Sequence, residues 1–308
     1  MDIKSDFKGF LAEVRILPML LMLTTTLLGG FFAVGPFLNW NVMALVLVNA
    51  FCFLYTAHLS DTFWDLRKGE YEKERKLHTV RLNDKAYLPR WGFGYEIPNA
   101  PILPKSHYLL GMALFSAIGV SIMLYISTLL DWRYSALAII GLFLALTYSA
   151  GVDRIPALGD TWWEIGVLFA LWCGYYSMKL TIDLFIIQTA MPLFLCLVSV
   201  KAQDSLPDTV VDNRINKQTL TVFLYRKGVS LSKIRHITFI PLYAGFLLLL
   251  SQAPPPLVPG VIITLVSIIL NHVGLRKDLA GRWTIVATGC SILFFICYAL
   301  LIISGLLF

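Results

Sequence analysis

The sequence predicts an all-α fold, a polytopic membrane bundle of nine transmembrane helices that forms one domain over residues 1–308. Three observations lead there. Of 308 residues, 57% are hydrophobic and only 14% are charged, against roughly 25% charged in a soluble domain, and the mean hydropathy is +0.73. Apolar runs of the length needed to cross about 30 Å of hydrocarbon recur along the chain. The basic residues sort onto alternate connections between those runs.

The runs lie near 16–36, 41–59, 107–130, 134–151, 161–180, 183–201, 235–252, 255–272 and 283–307. The first follows a mixed-charge stretch, Met1 to Arg15, and is as long as a spanning helix, so it reads as a retained helix and not as a signal peptide. Gly35-Pro36, Leu130 to Arg133 and Pro254-Pro255-Pro256 supply tight links that force antiparallel neighbours. Only two connections are long, about 60–106 after the second helix and 202–234 after the sixth, and polar chemistry concentrates in them.

Lys and Arg number three in the N-terminal segment (Lys4, Lys8, Arg15), nine between helices two and three, one at Arg154, seven between helices six and seven, and three at Arg276, Lys277 and Arg282. Those connections alternate with ones that hold only Arg133 and Lys179, so 23 of 25 basic residues share one side. Positive charge collects on the cytoplasmic side of short loops. The expected topology is therefore a multi-pass protein with its N-terminus cytoplasmic and its C-terminus outside, in a prokaryotic cell membrane. The net charge of +6 serves orientation and not nucleic acid, because it sits in the connections and not on one polar module. Cys52, Cys173, Cys196, Cys290 and Cys297 all fall in apolar runs without a CxxC pair, and read as small hydrophobes with no disulfide.

Helix two runs out into "TAHLSDTFWDLRKGEYEKER", where Asp61 and Asp65 stand four apart, and helix six into "VSVKAQDSLPDTVVDNRINKQTL", where Asp208 and Asp212 repeat the spacing. Residues four apart share a helix face, so each pair is a two-carboxylate patch at the same membrane surface. Like charges so placed repel, and a divalent cation removes that cost. Mg²⁺ takes a few carboxylates together with waters and phosphate oxygens, so two facing pairs can hold a diphosphate through bridging metals. Arg67 and Lys68 flank the first pair, Arg214 and Lys217 the second, and they supply donors for the charge left on the anion. Taken singly, either pair is also what two solvated surface acids look like; it is their repetition on one face that favours a site.

These motifs resemble those of the UbiA superfamily of intramembrane prenyltransferases, which has nine helices, an NDxxDxxxD-like motif after the second and a DxxDxxxDxxxGxxT-like motif after the sixth. This chain offers "AHLSDTFWD" and "SLPDTVVDNRINKQTL", with Thr219 at the family's Thr, and "TYSAGVDRIPALGD" after helix four is similar to a third family signature. Three departures stand out: the family's Asn falls on Ala57, the following acid on His58, and the Gly of the second motif on Asn216.

The resemblance implies transfer of an isoprenyl chain from a polyprenyl diphosphate to a lipophilic acceptor, an aromatic quinone precursor first and a glycerol-phosphate ether lipid second. It makes Asp61, Asp65, Asp208 and Asp212 both the catalytic residues and the Mg²⁺ ligands. It places His58, Arg67, Lys68, Tyr148, Ser149, Arg154, Arg214 and Lys217 around the substrate. The partners implied are the diphosphate donor, the acceptor and membrane lipid, with no nucleic acid. Asp153, Asp160 and Glu164 rank behind the four aspartates, as acceptor contacts or as partners that support the residues around the substrate, Asn49 reads as an interhelical hydrogen-bond partner, and Tyr71, Tyr87, Trp91, Phe93 and Tyr95 as an interfacial belt or lid. Two rivals are an intramembrane terpene cyclase of the same superfamily and a solute transporter. Transporters place ionisable groups near the bilayer midplane, whereas nearly every charge here sits at the boundary. A CDP-alcohol phosphotransferase is excluded by the absence of DGxxAR.

Overall fold

A computed structural model describes residues 16–69, 103–156, 158–206, 208–214, 216–274 and 282–305; at 16, 17, 149, 211, 274 and 282–286 only the backbone is described. Twelve α-helices follow in order among them: α1 (Ile16–Val34), α2 (Trp40–Lys68), α3 (Lys105–Leu129), α4 (Trp132–Ala150), α5 (Leu158–Lys179), α6 (Leu184–Ser205), α7 (Thr209–Arg214), α8 (Leu220–Arg226), α9 (Leu231–Thr238), α10 (Ile240–Gln252), α11 (Val258–Gly274) and α12 (Arg282–Ile303). All nine predicted apolar runs lie on helices, and no strand occurs among the described residues.

Five spans are long and apolar enough to cross a membrane: α2, α3, α6, the continuous α9–α10 stretch Leu231–Gln252, and Pro255–Val273. Three shorter apolar stretches lie in α1, α4 and α12. The fifth predicted run maps to α5, which is 22 residues long but carries Asp160, Glu164 and Lys179. Its two carboxylates are buried, so both acids face the protein interior, while Lys179 at the C-terminal end is exposed.

Caps explain where the helices begin and end. Asn39 accepts the backbone N–H of Val42 at the start of α2, and Gly69, at φ +67, closes its C-terminus by donating to the carbonyls of Asp65 and Leu66, a left-handed cap that glycine adopts without penalty. Asp131 and Asp183 cap α4 and α6 in the same way as Asn39. They lie at the end of the bundle that also carries Arg133 and Lys179. Tyr176 donates to Asp131 at 2.6 Å and Tyr175 to Asp183 at 2.7 Å. The hydroxyl of Tyr176 holds the Asp131 carboxyl below its usual range, and Lys179 with Tyr175 brings Asp183 down to about 2.

One crossing sets the spacing at the centre. Helices α1 and α5 pack so closely that a Cβ on Gly174 would land on the carbonyl oxygen of Thr26, and one on Gly29 on that of Leu171. Small residues at such crossings let backbones approach, which is how helices associate without a hydrophobic driving force in lipid. The five cysteines are free; Cys52, Cys173 and Cys196 are buried, but Cys290 and Cys297 face outward, which corrects the expectation that all of them fill the core.

Gly174→Ala is expected to lower the melting temperature of the purified protein, at a cost of about 1–3 kcal/mol for overpacking. Gly166→Ala in the same helix is the control, because its Cβ would meet nothing closer than 3.9 Å. Equal melting temperatures for the two variants would refute the close crossing.

Candidate active site

The helix that carries the first acidic motif does not stop where hydropathy suggested. It continues nine residues beyond 59, to Lys68, so Asp61 and Asp65 stand on its last turns. His58, Ser60, Thr62 and Asp65 are all buried, which means that these polar residues face other parts of the protein and give the helix no reason to end. The second motif is broken differently. Helix α6 ends at Ser205, Asp208 lies in the link, and Asp212 sits on the short α7, where its N–H donates to the Asp208 carbonyl at 2.8 Å. Asp208 and Asp212 are each 5% exposed.

After α7 the chain folds back on itself. The N–H of Lys217 donates to the Asp212 carbonyl at 3.0 Å, and that of Gln218 to the Asp153 carbonyl at 3.0 Å. Asn216 has φ +61, a left-handed conformation that glycine takes freely and asparagine tolerates better than most residues. Asn216 therefore makes a turn that glycine would also make freely. Thr219 caps α8 through its hydroxyl to Val222 N–H. The first N–H of α8, on Leu220, points at Asp160 Oδ2 at 2.5 Å, and Ser205 Oγ donates to Asp160 Oδ1 at 3.4 Å. Asp160 is 1% exposed, so one buried carboxylate pins α8 and the end of α6 to α5.

This stitching carries Lys217 across the site. Its ammonium stands 3.4 Å from Asp65 Oδ2, with both side chains mostly buried, and so joins the second motif to the first. Beside it, Lys68 Nζ lies 3.4 Å from Asp153 Oδ2, which ties the end of α2 to the 3₁₀ turn Val152–Arg154. Burial pushes the Asp153 carboxyl up, Lys68 and Lys217 pull it down, and the charge of Asp61 raises it further. Those four groups therefore share one electrostatic neighbourhood. Tyr148 completes the wall: Lys201 Nζ lies 5.7 Å from its ring centroid and the Trp163 ring 6.1 Å away, while His58 stands 5.7 Å from Trp163 on another side.

Not every sequence candidate joins this centre. Arg67 is exposed and lies over the Trp64 ring at 5.0 Å; Arg154 and Arg214 are exposed at the rim. Asp204 is exposed and pairs with Lys201 at 3.5 Å. The Ser149 side chain and the aromatic residues of 71–95 lie outside what the structure describes. Three participants were ranked low or passed over: Asp153, Asp160 and Lys201. Lys201 had a readable signal, standing three and seven residues before Asp204 and Asp208 on a helical spacing.

Among the described residues, no three His, Cys, Asp or Glu side chains stand together as a ligand set for one metal ion. Mg²⁺ does not require such a set, since it is commonly held by one or two carboxylates together with waters and substrate phosphates. The hard-oxygen donors of the buried Asp65, Asp208 and Asp212 and of the half-buried Asp61 fit it on chemistry.

No protein-family model matches this sequence, and no curated protein matches it at the sequence level. Solved structures do share its fold. A digeranylgeranylglyceryl phosphate synthase aligns at TM-score 0.60 and 11% identity over 97% of this chain and 98% of its own. A UbiA homologue from Archaeoglobus fulgidus, bound to DMAPP and Mg²⁺, aligns at TM-score 0.60 and 15% identity over 97% and 100%. The apo structure of a UbiA homologue from Aeropyrum pernix K1 aligns at TM-score 0.62 and 15% identity over 91% and 98%. The chain has the UbiA fold over nearly its whole length.

Asp160→Ala is expected to strip Leu220 N–H of its acceptor, a loss of about 1–3 kcal/mol for a buried donor, and to raise hydrogen–deuterium exchange across 216–226. Asp160→Asn keeps a carbonyl oxygen and should retain most of the protection. Unchanged exchange in the alanine variant contradicts the clamp.

Proposed function

We propose that this protein is a Mg²⁺-dependent intramembrane prenyltransferase that moves an isoprenyl chain from a polyprenyl diphosphate to a lipophilic acceptor. The observation that carries the reading is the Lys217–Asp65 contact, which joins the two acidic motifs at one end of a UbiA-like bundle. The UbiA homologue bound to DMAPP and Mg²⁺ supports both the donor class and the metal.

In this reading nine helices span the membrane, with the N-terminus and both acidic motifs on the cytoplasmic side. Asp61, Asp65, Asp208 and Asp212 would hold Mg²⁺, which would supply positive charge against the leaving diphosphate. Lys217 and Lys68 donate to phosphate oxygens, and Arg67, Arg154 and Arg214 at the rim draw the anion in. Once diphosphate enters, the ammonium of Lys217 exchanges a carboxylate partner for a phosphate one, with no loss of charge pairing. Tyr148 and Trp163 turn ring faces toward the allylic carbon, where π-density steadies positive charge. His58 stands where the family has an acid and adds a hydrogen-bond donor. Closure by apolar helices keeps water away from the carbocation. The acceptor attacks the allylic carbon and then loses a proton, while pyrophosphate leaves.

The test is incubation of membranes with labelled geranylgeranyl diphosphate, with and without Mg²⁺, followed by pyrophosphate assay and product identification. An aromatic acceptor product, a glycerol-phosphate ether and a cyclised hydrocarbon are distinguishable in the same extract. Asp61→Ala, Asp65→Ala, Asp208→Ala and Asp212→Ala should each lower turnover at least ~100-fold, a loss of about 2.7 kcal/mol of transition-state stabilisation, while still inserting in the membrane. Near-full activity in any two of them defeats the metal assignment.

A further inference from the structure

An apolar cavity runs between α1, α2, α4 and α5, lined by Ala50, Phe53, Leu137, Ala138, Val167 and Trp163 among others. Trp163 marks its upper end, since the same indole stands beside His58 and Tyr148 at the acidic mouth. Asn49 and Tyr134 also line the cavity, at its far end. At 1.5 Å per residue of helix, Asn49 lies ~14 Å below His58 and ~18 Å below Asp61 on α2.

That far end is polar and locked. Tyr134 OH donates to Asn49 Oδ1 at 3.0 Å, and Asn49 Nδ2 donates to the Gly119 carbonyl at 2.7 Å. Tyr134 is 1% exposed and Asn49 2%. The amide is held from both α3 and α4, so the phenol ring cannot swing aside without leaving buried hydrogen-bonding groups unmatched. Pairs of this kind do tie membrane helices together. Here the pair also lines, with Val46 and Cys173, the end of an otherwise almost wholly apolar cavity whose other end carries Trp163, the indole beside His58 and Tyr148.

We infer that Tyr134, braced by Asn49, is the floor on which the isoprenyl chain ends, and that it limits the donor to about four isoprene units. The inference rests on the prenyl-diphosphate reading above. A carbon–carbon bond of about 1.5 Å advances an extended chain by roughly 1.25 Å, so a four-carbon isoprene repeat needs ~5 Å. The ~14 Å from the level of His58 and ~18 Å from that of Asp61 down to the floor then admit about three to four repeats, and a longer tail meets the Tyr134 ring.

The experiment follows pyrophosphate release from membranes carrying the full chain, with Mg²⁺ and geranyl, farnesyl, geranylgeranyl or octaprenyl diphosphate. The wild type is expected to use the first three and to be slower with octaprenyl diphosphate by about tenfold or more, the scale on which a hydrophobic pocket discriminates size. The double variant Asn49→Ala with Tyr134→Ala removes both partners together, and should raise the octaprenyl-to-geranylgeranyl rate ratio by about tenfold. Tyr134→Phe keeps the ring and should keep the wild-type ratio. Ala138→Leu, one turn nearer the mouth, should shift preference toward geranyl diphosphate, which gives a second reading if the double variant does not fold. Equal wild-type rates with four and eight units, or a folded double variant with an unchanged ratio, overturns the inference; a merely structural pair would move stability and not this ratio. Absence of release with every donor contradicts the prenyl-diphosphate reading itself and removes this inference with it.

Discussion

Charge buried at one end of an apolar bundle must be matched within the protein, and the Lys217–Asp65 pair is where that constraint is met between distant parts of the chain. Asp65, Asp153, Asp160, Asp208 and Asp212 are all at most 5% exposed. A carboxylate in such a place is costly unless paired or hydrogen-bonded. Asp160 is matched by the first N–H of α8 and the Ser205 hydroxyl, Asp153 by Lys68, and Asp65 by Lys217. Each match is also a tether: the path of the chain from 205 to 220 is set by the partners these acids need.

The molecule therefore has two regions with opposite solvent character along one axis. Basic and acidic side chains with aromatic ring faces line the mouth, and an apolar bore continues below it between α1, α2, α4 and α5. The proposed substrate, with a charged head and a hydrocarbon tail, would match that gradient, with Tyr148 and Trp163 at the junction. The close crossing of α1 and α5 at Gly29 and Gly174 narrows the frame around the bore, and Trp163, on α5, spans its top.

Hydropathy made the apolar runs legible because each is decided locally, by roughly 20 residues facing lipid. It failed at the end of α2, where Ser60, Asp61, Thr62 and Asp65 look like an exit into water. Ser60, Thr62 and Asp65 are instead buried, and Asp65 meets Lys217, far off in sequence. The acidic pairs were readable from repeated spacing, and Asn216 became explicable once its left-handed backbone was seen. Asp153 and Asp160 were hard to rank because nothing local distinguishes a buried, paired acid from a solvated one. Their contacts span 85 residues from Lys68 to Asp153 and 60 from Asp160 to Leu220, and the pairing of Asp65 with Lys217 spans 152.

The most direct test of the account is cross-linking between the two motifs in intact membranes. With Asp65→Cys and Lys217→Cys in one chain, a short bifunctional thiol reagent should join the α2 end to the 216–220 turn within one molecule, and added diphosphate should slow the reaction by occupying the gap. No intramolecular cross-link, in a protein that still inserts and elutes as the wild type does, would mean that the acidic segments face separate spaces and form no common centre.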